Sequence, residues 1–167
     1  MKKISPLYVA VFITAVAVLA NCGSKSEVEE NVGTKDSAIT VGSVVARPGG
    51  NVEVPISLES HVDIAGVQLN IQFDSNAVTV DAPRTTSRTA DMMVMHNIKE
   101  RELLLMLYDM SGKTISPGSG PILMLPVNVA QNASGTISLD LTKAMLATQD
   151  AQTIPVSSGS GKITIRP

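Results

Sequence analysis

Residues 64 to 80 read Ile64-Ala-Gly-Val-Gln-Leu-Asn-Ile-Gln-Phe-Asp-Ser-Asn-Ala-Val-Thr-Val80. From Val67 to Phe73, the apolar residues Val67, Leu69, Ile71 and Phe73 alternate strictly with Gln68, Asn70 and Gln72. A period of two is the side-chain period of a strand, so the stretch predicts a strand with one buried and one polar face. Asp74, Ser75 and Asn76 interrupt it, and Asp and Asn favour turns because their side chains bond to nearby backbone. Val78 and Val80 then resume the extended pattern. The unit of strand, turn and strand is the template for the rest of the chain.

Upstream, Ile39-Thr-Val41 and Val52 to Glu59 read as strands flanking Arg47-Pro-Gly-Gly50. Pro55 has no N–H for a ladder, so its strand is expected at a sheet edge or at a local break. Downstream, Ala82 to Asp91 reads as a loop, and Met92 to Ile98 and Glu102 to Asp109 form a hairpin around Lys99-Glu-Arg101. A helix over Leu103 to Met110 is the alternative by propensity, but the short run and the Ser-Gly-Lys turn after it favour strand. Ile122 to Val129, Thr136 to Leu141, Thr153 to Val156 and Lys162 to Ile165 complete the strands, with one helical turn expected at Lys143 to Ala147 and a loop at Ser157 to Gly161. Eight or nine short strands with turns at this spacing indicate an all-β, antiparallel two-sheet sandwich.

The 167 residues suit one domain with a proper core. Lys2 and Lys3 precede an uncharged run from Leu7 to Ala20, the layout of a secretory signal peptide and shorter than the roughly 20 residues of a spanning helix. Leu19-Ala20-Asn21-Cys22-Gly23 resembles the lipobox of bacterial lipoproteins, which implies cleavage after Asn21 and lipid attachment at Cys22. Asn21 departs from the Gly, Ala or Ser more usual before the Cys; the alternative is a secreted protein with an incidental Cys. Residues 1–21 are thus expected to be a signal peptide, 22–38 an acylated Cys and flexible tether, and 39–167 the folded domain, lipid-anchored outside the cytoplasm on the cell envelope. Cys22 is the only cysteine, so no internal disulfide is possible. Without Lys2 and Lys3 the balance is 11 basic against 15 acidic residues, a net charge of −4 that makes nucleic acid an unfavourable partner.

Catalytic chemistry is sparse. His61 and His96 are the only side chains that ordinarily titrate near neutrality, and neither has a companion Cys or a Gly-x-Ser-x-Gly motif. His61 with Asp63 is a weak metal pair, Asp74 with Asp81 would imitate a glycosidase pair only if the fold joined them, and the turn role explains Asp74 more simply. The expectation is a protein that is not an enzyme and carries no cofactor.

Several segments in order resemble the cohesin domain: Gly-Gly-x-Val-x-Val-Pro-Ile (49–56), Gly-Val-Gln-Leu-Asn-Ile-Gln-Phe-Asp-Ser-Asn (66–76), Leu-Leu-Leu-Met-Leu-Tyr-Asp-Met-Ser-Gly (103–112), Ser-Gly-Pro-Ile-Leu (119–123), Gly-Thr-Ile-Ser-Leu (135–139) and Gly-Lys-Ile-Thr-Ile (161–165). The resemblance implies a nine-stranded jelly roll that grips a dockerin module, with calcium belonging chiefly to the dockerin. It also implies a partner surface on the sheet holding the strands at 67–73, 92–98, 102–109 and 136–141. On that sheet the alternation turns Gln68, Asn70 and Gln72 outward. Leu103, Leu105 and Leu107 make a uniform core face, which puts Leu104, Met106 and Tyr108 outside beside the amides. The expected binding residues are these six, unless loops cover the stripe or both faces are buried. Gln68 stands where the family often carries an acid. The alternative function is a carbohydrate-binding module linked to polysaccharide breakdown, but sugar platforms stack on several rings and only Phe73 and Tyr108 lie outside the signal peptide.

Overall fold

The structure is a computed structural model that describes residues 37–167. The expected signal peptide, Cys22 and nearly all of the expected tether lie outside the described residues. Thirteen strands follow in order: β1 (Ser37–Val41), β2 (Val44–Ala46), β3 (Asn51–Ser60), β4 (Gly66–Phe73), β5 (Val78–Val80), β6 (Arg84–Thr85), β7 (Met93–Lys99), β8 (Glu102–Tyr108), β9 (Gly118–Val129), β10 (Thr136–Ala147), β11 (Thr153–Ile154), β12 (Val156–Gly159) and β13 (Gly161–Ile165). They form a two-sheet jelly-roll sandwich. One sheet has the order β12-β1-β3-β9-β5 with β6 also on β9, and the other β2-β13-β10-β4-β8-β7 with β11 also on β10. The count exceeds the expected nine because short pieces such as β2, β6 and β11 pair separately.

The alternation at 67–73 does what its period requires. Val67, Leu69, Ile71 and Phe73 are buried, as are Leu103, Leu105 and Leu107 on β8, which pairs antiparallel with β4. Ile39, Ile56, Leu58, Leu123 and Leu125 meet them from the other sheet in one hydrophobic core. That core is almost wholly aliphatic, with Phe73 its one aromatic ring. Asp74 closes β4 with a turn: its carbonyl accepts from Ala77 and Val78 N–H, and its carboxylate from Asn76 N–H at 3.1 Å.

Two open local expectations are resolved and two are corrected. Of the two placements expected for Pro55, the sheet edge fails and the local break holds: its strand is central, between β1 and β9, with a register shift at Ile56/Ser57. Pro55 is tolerated because the β1 ladder ends opposite Ile56, and its carbonyl still accepts from Gly42 N–H at 2.8 Å. Leu103 to Tyr108 is strand, as the short run and the turn after it predict, and not the alternative helix. Lys143 to Ala147 makes no helical turn; it is the second half of β10, displaced by a bulge between Leu141 and Lys143. Ser157 to Gly159 belongs to β12, paired parallel with β1.

That parallel pair and the parallel β2–β13 pair are the departures from an antiparallel sandwich. They arise where the chain passes from one sheet to the other twice, side by side, at Gly42 and at Ser160-Gly161. A Cβ on Gly161 would sit 2.2 Å from the Gly42 carbonyl oxygen, so only glycine permits this crossing. The lead-in to β7 is held from behind by Arg88, whose guanidinium donates to the carbonyls of Leu58, Ser116, Gly118 and Gly120.

The loop after β8 is closed by Asp109, whose Oδ2 accepts from Ser111 N–H at 2.7 Å, Ser111 Oγ at 2.6 Å and Lys113 N–H at 2.8 Å. The Ser111 hydroxyl first, then the Lys113 N–H, holds the Asp109 carboxyl below its ordinary value of 3.8. Lys113 pairs in turn with Asp91 at 2.8 Å, which raises its own pKa.

Replacing Leu69 by Asp puts a charge where the side chain is wholly buried and is expected to cost more than about 3 kcal/mol, read as loss of the urea transition. Gly161→Ala should cost about 1 to 3 kcal/mol through overpacking at the crossing; an unchanged urea midpoint would contradict the tight approach. The Asp109 pKa is depressed in the folded state, so the order it gives the loop is complete above the unfolded value and is lost as pH falls through the lower folded one. Amide exchange at Ser111 and Lys113 should therefore accelerate only in acid, beyond its intrinsic pH dependence, and Asp109→Asn should remove that step.

Candidate functional site

The outer face of β10, β4, β8 and β7 is a flat lattice whose rows follow from strand register. Met145, Gln68, Met106 and Met95 stand in one row, and Lys143, Asn70, Leu104 and Asn97 in the next. Asp140, Gln72, Glu102 and Lys99 form the row at one end; Ala147, Gly66, Tyr108 and Met93 form the row at the other. The period that buries Leu69 and Leu105 is the one that turns this set outward.

All six residues expected from the sequence lie on this face. Gln72 and Met106 are exposed, while Gln68, Asn70, Leu104 and Tyr108 are partly buried by their neighbours. The strands bring Gln68 opposite Met106 and Asn70 opposite Leu104. Sequence reasoning missed Met93, Met95 and Met145. They are 48%, 56% and 37% exposed, comparable with 43% for Met106. The alternation of 92–98 carried the signal for Met93 and Met95, but its phase is ambiguous because Met92, Val94 and Ile98 are apolar too. Met145 was hidden by the expected helical turn.

The face is chemically polarised. Toward Tyr108 it is neutral and rich in methionine; the Tyr108 hydroxyl donates to the Met95 sulfur at 3.1 Å. Toward Gln72 it is charged, and it continues into an open cleft of about 1160 Å³ lined by Asp74, Lys99, Arg101, Glu102 and Asp140, among others. Between the two, Asn70 Nδ2 donates to Glu102 Oε1 at 3.1 Å. A carboxylate only accepts, so this bond orients the amide and leaves Asn70 Oδ1 buried with no partner. An orphaned buried acceptor costs about 1 to 3 kcal/mol.

Neither histidine builds a site with its neighbours. His61 is exposed, 3.9 Å from Glu59, and Asp63 accepts instead from the Thr114 hydroxyl at 3.2 Å. His96 is exposed on the edge strand β7. Asp74 is engaged with Arg101, and Asp81 accepts from Asn128, so each carboxylate has a structural partner of its own.

Comparison with known proteins gives the following relations. A search of curated proteins gave no match. Among solved structures, the chain is similar to a non-cellulosomal cohesin from the archaeon Archaeoglobus fulgidus, with TM-score 0.69 and 19% identity over 79% of this chain and 92% of that one. It is similar to the OlpA cohesin of Clostridium thermocellum, solved as a complex with the dockerin Doc918, with TM-score 0.72 and 21% identity over 78% of this chain and 99% of that one. A cohesin of the Acetivibrio cellulolyticus scaffoldin B, in complex with the Cel5 dockerin, matches with TM-score 0.70 and 13% identity over 78% and 99% of the two chains. At these identities the structures speak for the fold. The cohesin-domain family model matches residues 37–165, the whole sandwich from β1 to the end of β13, and the chain belongs to the cohesin domain family.

Proposed function

We propose that this chain is a non-catalytic binding module that grips a dockerin-like or other protein partner through the outer face of β10, β4, β8 and β7. The observation that carries the reading is the row Met145, Gln68, Met106 and Met95, in which three exposed methionines from β10, β8 and β7 flank one amide of β4, with charges at one end of the face. Such a patch on a folded domain favours a protein interface, and methionine is enriched at interface cores because its flexible thioether adapts to the partner. Dockerins occupy the OlpA and scaffoldin B cohesins in their complexes, which supports a protein of that class as the partner here.

The same reading has the module held at the bacterial envelope by acylated Cys22, with residues 23–36 as a tether, two residues shorter than expected because Ser37 and Ala38 belong to β1. Two or more acyl chains, at about 0.8 kcal/mol per buried CH₂, would anchor it almost permanently. Growth with labelled fatty acid should label the wild type and leave Cys22→Ala unlabelled.

Met106→Asp should leave the urea midpoint within about 0.5 kcal/mol of wild type, because the side chain is exposed, and should weaken partner capture from envelope extract at least tenfold. Capture unaffected by this change would remove the face as the docking surface, and retention on cellulose or chitin would redirect the function to sugar. Asn70→Ala loses one hydrogen bond but relieves one orphaned oxygen. Its stability should shift by less than about 1 kcal/mol while binding falls; unfolding of this variant would mark the face as core.

A further inference from the structure

We propose that Met93, Met95 and Met106 form a binding site for a soft monovalent cation, copper(I) or its analogue silver(I), at the uncharged end of the sheet. Met95 and Met106 are directly opposed across β7 and β8, and Met93 follows Met95 on the same face, diagonal to Met106. Opposed Cβ atoms on antiparallel strands lie about 4.5 to 5.5 Å apart, and diagonal ones about 7 Å. A methionine sulfur is two bonds beyond Cβ on a freely rotating stem, so three thioethers so placed can meet one ion above the strands without moving the backbone.

The donor set selects the ion. Thioether sulfur is soft and uncharged; it suits copper(I) and offers little to calcium or magnesium, which take oxygen ligands. Glu102 and Lys99 stand beyond the Leu104–Asn97 row, and the carboxylates nearer the triad are engaged, Asp91 with Lys113 at 2.8 Å and Asp109 with Ser111 and the Lys113 N–H, so none completes a site for a hard divalent cation. His96 pairs opposite Leu105, whose side chain is in the core, and so has the inward phase of β7. The Tyr108 hydroxyl donates to the Met95 sulfur at 3.1 Å, which places that sulfur against β8 and leaves its second lone pair for an ion.

Leucine or isoleucine would make an equally apolar patch, yet every exposed large apolar residue with the outward phase of β7 and β8 is methionine. Met145 stands opposite Gln68, with β4 between it and β8, and Met110 belongs to the loop after β8; neither belongs to the triad. Being exposed, the three sulfurs need no opening of the fold to reach an ion.

The test is a titration of the full chain, labelled with ¹³C in the methionine methyls, with silver(I). A Cys22→Ala background is used because a free thiol would take the ion first. The methyl resonances of Met93, Met95 and Met106 should shift together and saturate at one equivalent, with Met92 and Met124 unmoved. Met95→Leu and Met106→Leu keep the volume and should each weaken binding at least tenfold, with the urea midpoint unchanged. No shift at the triad would overturn the proposal. So would parallel, non-saturating shifts at Met110 and Met145, or full affinity in both leucine variants.

Discussion

Everything in this domain depends on the burial of one face of β4 and β8 by aliphatic side chains. The chain has one cysteine and, among the described residues, only Phe73 as a buried ring, so neither a disulfide nor aromatic bulk holds the sheets together. Val67, Leu69 and Ile71, stacked beside Leu107, Leu105 and Leu103, supply that adhesion. Each contributes about 1.5 to 3 kcal/mol of burial. Because a strand's side chains alternate, committing these residues to the core commits Gln68, Asn70, Leu104 and Met106 to the opposite side. The candidate binding face is therefore a by-product of the core's own periodicity, and it is built on paired strands rather than on loops.

The sheet's chemistry then varies along the strands rather than across them. Near Tyr108 the rows are methionine and small residues; near Gln72 they are carboxylate, amide and ammonium. The Asn70–Glu102 hydrogen bond joins the two regions and leaves one buried oxygen unsatisfied. A surface of this kind discriminates between partners in two ways. The methionines accept apolar groups of many shapes, while the charged row penalises a partner that brings the wrong polar group. The soft-cation site draws on the same sulfurs through their lone pairs instead of their apolar bulk.

Closure of the sandwich rests on a different device. The two strand ends that change sheets, at Gly42 and Gly161, pass so close that a methyl group would collide with backbone, and that proximity produces the parallel pairs β1–β12 and β2–β13. Arg88 secures the other side by satisfying four carbonyls of the β3 and β9 region with one guanidinium. A planar fork with five donors is suited to collecting scattered acceptors in this way.

Local pattern was enough to read the all-β class, the hairpin of β7 and β8, the phase of β4 and β8 and the six outward residues from Gln68 to Tyr108. Each rests on side-chain periodicity or turn chemistry within a few residues, which the chain carries wherever it sits. The resemblance to cohesin segments added the architecture and the choice of sheet. What only tertiary structure decided were matters of neighbourhood. Pro55 leaves a sheet edge and a local break equally open until the β1 ladder is seen to end beside it. Lys143 to Ala147 reads as a helical turn until β4 recruits it into a bulged strand, since strand pairing with a distant partner overrides weak local propensity. The partnership of Met95 with Met106, and of both with Met93, exists only in the register of two paired strands, where hydrogen bonds between backbones set which side chains face each other.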